Sequence, residues 1–165
     1  MDEQKINSFE ELQKKLEVLK QKNGADLSSG EDLSIAVMNL ISLEEHFFFS
    51  AMKTEKDEYL DLMEEVREIR KTMLKKLMPD NEGESWCVSK HLLAASMRLF
   101  EVGTKYRSEG KKEEAKELFE RSYKLYSLFW AVKLKLVDVK KTPSDKTFFG
   151  KIEDIVTKLI DCCKE

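Results

Sequence analysis

A chain of 165 residues with 29 basic and 32 acidic side chains carries a formal charge of only −3, too small and of the wrong sign to draw in nucleic acid or an anionic membrane. Its length suits one domain. Its 41% hydrophobic content can furnish a core, whereas six glycines and two prolines are too few for the turns of an all-β fold. Glu, Lys, Leu and Met, good helix formers, dominate, which points to an all-α chain. Three cysteines, two of them adjacent at Cys162 and Cys163, make no disulfide framework and suit a reducing compartment. The charged opening MDEQKINSFEELQKK lacks the apolar stretch of a secretory leader, and the longest apolar runs, such as LFWAV at 128–132, are too short to span a bilayer. The expectation is a cytoplasmic protein with neither a membrane nor a nucleic-acid partner.

Six helical segments are predicted in chain order. The first opens at Ser8, with Glu11 at capping-box spacing. It repeats Phe9, Leu12, Leu16 and Leu19 and stops at Asn23-Gly24. ADLSSGEDLS then reads as a flexible joint. The second runs from about Glu31 to Lys53, with Val37, Leu40, Ile41, Phe47, Phe48 and Ala51 inward. After the turn TEKD, the third runs from about Glu58 to Leu77, with Tyr59, Leu62, Met63, Val66, Ile69, Met73 and Leu77 inward. MPDNEGES breaks it, because Pro79 cannot continue a helix and Asn81 and Gly83 suit a turn.

The fourth, about Ser85 to Arg107, has one apolar face of Val88, Leu92, Ala95, Leu99, Val102 and Tyr106. A second face holds Trp86, Leu93, Met97 and Phe100, so this helix is expected to be sandwiched between neighbours. The fifth, about Lys112 to Leu136, turns Ala115, Leu118, Phe119, Ser122, Leu125, Tyr126, Phe129 and Val132 inward. A polar linker, KKTPSDK, leads to the sixth, about Phe149 to Cys162. Short loops between long helices make antiparallel neighbours. The predicted fold is therefore a bundle of two antiparallel αα-hairpins, with an additional helix at each end. Its parts are residues 1–26 as an amphipathic helix and joint, 27–137 as a four-helix core, and 138–165 as linker and last helix, in one domain.

Within 96–129, the residues Leu99, Val102, Gly103, Tyr106, Gly110, Ala115, Phe119 and Ser122 resemble a single tetratricopeptide repeat. Gly103 and Ala115 stand at its small positions, Gly110 at its turn, and Tyr106 and Phe119 at its large ones. Ser127 departs from the pattern, standing where a helix-stopping proline is usual. The resemblance implies protein or peptide binding on a concave face.

The chain's two histidines sit in similar settings, EEHFFFSAMK and SKHLLAASMR, 45 residues apart. The echo reads as two similar hairpins and not as a duplicated ligand site. His91 follows Cys87 by four, one helical turn away, which is half of a zinc site. No second close ligand pair completes it, so no cofactor is expected, with zinc the metal such a half-site would take if the rest came from other helices. A di-iron bundle needs Glu-x-x-His twice, yet Leu43 and Val88 precede the histidines at that spacing.

Glu44 falls in phase with the apolar face of its helix, and Arg70 does the same on the next. A buried unpaired charge is costly, so the two are expected to pair, or to line a polar ligand pocket. Glu64, Glu65 and Glu68 resemble the magnesium-holding clusters of helical nucleotide pyrophosphatases, but they lie on a polar face. No phosphate loop or nucleophile elbow is present. Phe49 and Trp130 point away from the predicted four-helix core and are candidate interaction residues. The leading expectation is a non-enzymatic protein that binds another protein or itself. A metal- or small-ligand-binding bundle comes second and a magnesium-dependent hydrolase third.

Overall fold

The computed structural model describes residues 26–79 and 83–134, and these are all-helical, with no strand among them. Four helices appear: α1 (Asp26–Thr54), α2 (Glu58–Leu77), α3 (Glu84–Ser108) and α4 (Lys112–Lys133). The helices expected near Ser8 and Phe149 lie outside the described residues, as do the last predicted turn at 135–136 and the cysteines at 162–163.

α1 begins at Asp26, well before the Glu31 start read from sequence, so most of the supposed joint is helical. Ser28, Ser29 and Gly30 are poor interior residues, but Asp and Ser are favoured where helices begin. The following residues Ser34, Val37 and Met38 are buried, and that burial extends the helix against local propensity. The Ser34 hydroxyl donates to the Glu31 carbonyl at 2.7 Å, a local bond that leaves the helix intact. At its other end α1 closes on Glu55, which adopts a left-handed φ of 57° and donates its N–H to the Ala51 carbonyl at 2.8 Å. Gly110, at φ 80°, occupies the left-handed position of the α3–α4 turn without the Cβ penalty.

The described helices fall into two compact units, α1 with α2 within Ala25–Asp80, and α3 with α4 in the other. Each unit carries a seam of residues seven apart. On α1 it is Val37, Glu44 and Ala51, and on α2 Met63, Arg70 and Leu77; all but Glu44 and Met63, which are half-buried, are buried. On α3 it is Ser89, Ser96 and Gly103, and on α4 Ala115, Ser122 and Phe129, all buried. A seven-residue spacing keeps one line of a helix facing its partner over several turns. In both units the central contact is polar and joins residues 26 apart, Glu44 to Arg70 and Ser96 to Ser122. The seams therefore correspond at a shift of 52 residues, not the 45 suggested by the histidines. At that shift His46 aligns with Arg98 and His91 with Asn39, and the histidine echo has no counterpart in the packing.

The seam also corrects the predicted faces. Ala95 and Phe100, read as inward, are exposed, while Ser89 and Ser96 are buried. On α2, Leu62 and Ile69, read as inward, are exposed, while Leu74, not read as inward, is buried; Arg70 is buried as its phase predicted. Phe48 is exposed as well.

Gly103 shows how tightly α3 and α4 approach. A Cβ at this position would lie 2.7 Å from Phe119 Cε1, 2.9 Å from Phe119 Cδ1 and 3.3 Å from Leu118 Cβ. Alanine is intrinsically better than glycine in a helix interior by about 0.8–1.0 kcal/mol, and the clash opposes that gain. Gly103→Ala is expected to destabilise the protein by about 1 kcal/mol. In a Phe119→Ala background the ring is gone and the same substitution should stabilise. Urea melts of the four proteins in this cycle check the reversal of sign.

Candidate functional site

The most developed polar site of the α1–α2 unit is built on Glu44. One turn of α2 brings Arg67 and Arg70 to the same carboxylate. Arg70 Nε donates to Glu44 Oε1 at 2.7 Å and its Nη2 donates to Oε2 at 3.2 Å, a bidentate pair. Arg67 Nε adds a bond to Oε2 at 3.2 Å. The Arg70 and Glu44 side chains are 8% and 13% exposed, whereas that of Arg67 is 46% exposed. The carboxylate thus has one inner and one outer partner.

Burial pushes the pKa of Glu44 up, but the hydrogen bonds and charges of Arg70, then of Arg67, together outweigh it and hold the carboxyl below its ordinary value of 4.5. A carboxyl with a depressed folded pKa binds fewer protons folded than unfolded. Its stabilisation is complete above the unfolded value and is lost as pH falls through the folded value. The urea midpoint is therefore expected to drop from about pH 5 to about pH 3, and Glu44→Gln should flatten that limb.

The equivalent position of the other unit holds a reciprocal serine clasp. Ser96 Oγ donates to the Ser122 carbonyl at 2.9 Å, and Ser122 Oγ donates to the Ser96 carbonyl at 2.7 Å. The two hydroxyl oxygens are 3.2 Å apart. Sequence reasoning placed Ser122 inward but missed Ser96. The available signal was its seven-residue spacing from Ser89 and Gly103. Ser89 Oγ and Trp130 Nε1 are buried without a hydrogen-bond partner, so neither offsets the loss of its water.

The structure therefore brings Glu44 and Arg70 together in the α1–α2 unit; His91 belongs to α3, in the other unit. His91 is half-buried, and burial, then the charge of Lys90, lowers its pKa and favours the neutral imidazole. Cys87 is half-buried one turn before it. No third ligand joins them: among the described residues no group of three His, Cys, Asp or Glu side chains could hold a metal ion. Glu64, Glu65 and Glu68 are exposed, and Glu68 is bonded to Lys71 at 2.6 Å, as expected of a solvated helix face.

The two candidate interaction residues separate. The Phe49 ring is 49% exposed and lies edge-on to Phe48 at 5.3 Å. Trp130 is only 5% exposed, edge-on to Phe129 at 5.6 Å and to Tyr126 at 6.3 Å, so its surface is already covered. In its place the structure exposes Leu43, Leu62 and Ile69. No described helix is long and apolar enough to cross a membrane. Comparison with protein families, curated proteins and solved structures finds no match.

Proposed function

We propose that this chain is a non-enzymatic interaction protein, built of two antiparallel αα-hairpins, that binds another protein or itself through the α1–α2 unit. One observation carries this reading. Of the nine exposed large hydrophobic residues among the described residues, seven lie on α1 and α2: Ile35, Leu43, Phe48, Phe49, Met52, Leu62 and Ile69. Only Phe100 and Tyr123 lie on α3 and α4. Single exposed apolar side chains are ordinary, but their concentration on one unit is the mark of a contact surface. The α3–α4 unit, with its small-residue seam, has the character of a packed support. The resemblance of 96–129 to a tetratricopeptide unit is in keeping with a binding role, as is a Glu44 carboxylate already engaged by two arginines and so not poised as a general base.

The test is photo-crosslinking of the full chain in its native cell, with a benzophenone amino acid replacing Phe49 or, separately, Ile69. Replacement of Lys116 on α4 is the control. The reading expects discrete protein adducts from the first two positions and none from the third. Adducts of equal yield from all three positions, or from none, overturn it.

A further inference from the structure

We propose that a second copy of this chain docks on the outer stripe of α2, with the two α2 helices running antiparallel. The inference rests on the interaction reading above and names the partner. Leu62 and Ile69 are 41% and 51% exposed and lie seven residues apart, on one line of the helix surface. A step of seven along that line leads to Lys76 after Ile69; one turn before Leu62 stands Glu58, the first residue of α2, with Glu55 in the turn ahead of it. Both ends are exposed. The stripe thus reads acid, apolar, apolar, base. Leu43 of α1, 38% exposed, adds apolar surface to the same unit.

This order is complementary to itself in one direction only. Laid antiparallel about a two-fold axis, Leu62 of each copy meets Ile69 of the other, and Lys76 in the last turn of each faces the acidic start of the other, where Glu58 opens the helix and Glu55 stands in the turn before it. Laid parallel, each charge meets its own kind. α2 carries acids in its first turn (Glu58 and Asp61) and bases in its last (Lys75 and Lys76), which also suits the helix dipole. Neither Glu58 nor Lys76 makes an ion pair among the described residues, so both charges are available for contact across the axis. An isologous contact of this kind needs no second surface. Two exposed apolar residues at its centre make it a concentration-dependent dimer and not an obligate one.

Sedimentation equilibrium of the purified full chain, over a range of concentrations and at low salt, tests the proposal. A reversible monomer–dimer equilibrium is expected. Ile69→Glu should weaken it about 100-fold or more, because it buries a carboxylate at the axis. Lys76→Glu should weaken it about tenfold by setting acid against acid. The triple variant Glu55→Lys/Glu58→Lys/Lys76→Glu reverses every charge of the stripe and should restore the dimer to within about threefold of the parent. These positions are exposed, and circular dichroism confirms that each variant folds. A strict monomer at every concentration, a dimer indifferent to Ile69→Glu, or a triple variant no better than Lys76→Glu overturns the proposal. A strict monomer that still yields heterologous adducts from Phe49 or Ile69 in the cell overturns the self-docking alone and leaves the interaction reading standing.

Discussion

Glu44→Ala is expected to lower the unfolding free energy by about 2–3 kcal/mol, among the largest effects of any single substitution outside the apolar core. The loss comes less from the bonds removed than from what remains. Arg70, 8% exposed, keeps its charge in a site where, among the described residues, the two nitrogens that held Glu44 have no other acceptor. An inner guanidinium without its carboxylate has neither full hydration nor a counter-charge. The converse change should cost less. In Arg70→Met the Glu44 carboxylate retains Arg67 at 3.2 Å, and Arg67 reaches solvent, so about 1–2 kcal/mol is expected. Replacing both residues, Glu44→Met with Arg70→Met, removes the charges together and fills the seam with flexible apolar side chains. It should fall within about 1 kcal/mol of the parent. Urea denaturation of the three variants, at a common slope, checks the order. If Arg70→Met proves as costly as Glu44→Ala, Arg67 is no second partner.

This pair was legible in the sequence for a definite reason. Glu44 and Arg70 each stand in phase with an apolar face, on helices joined by a short turn, and a charge in that position demands a counter-charge. All-helical character was equally legible, because composition and periodicity agree along the described residues. What the sequence concealed was the choice among competing apolar lines. Leu62, Ile69 and Phe100 are strongly apolar and drew the inferred faces toward themselves, yet the packed line of α3 runs through Ser89 and Ser96. Hydropathy measures the tendency to leave water; it does not measure how closely two backbones can come together. Gly103 and Ser96 are buried because they are small; the tetratricopeptide-like pattern marked Gly103, but only the spacing of Ser96 with Ser89 and Gly103 records its own burial. The two histidines misled for a related reason. They share apolar neighbours, but the seams that define equivalent positions are displaced by 52 residues, and the histidines by 45. The start of α1 was hidden by Ser28, Ser29 and Gly30, whose local preference for a loop is overridden by burial farther along the helix.

Ser96→Leu should cost about 3 kcal/mol, and Ser96→Ala only about 1 kcal/mol, although both remove the same hydroxyl. In each, Ser122 Oγ still has the residue-96 carbonyl to donate to, because that acceptor is backbone. The alanine variant thus loses one bond and keeps the spacing of the helices. The leucine variant must force its branched side chain into a seam where each serine hydroxyl already reaches the other helix's main chain at 2.7–2.9 Å. Such reach requires axes near the short end of the roughly 8–10 Å range of helix pairs. Glu44 and Arg70 meet through the ends of long side chains, so the equivalent position of the α1–α2 unit tolerates bulk: Glu44→Met/Arg70→Met should repack where Ser96→Leu cannot. If Ser96→Leu is as mild as Ser96→Ala, the α3–α4 seam is looser than its hydrogen bonds require, and the contrast between a tight supporting unit and a unit that carries its apolar residues outward fails with it.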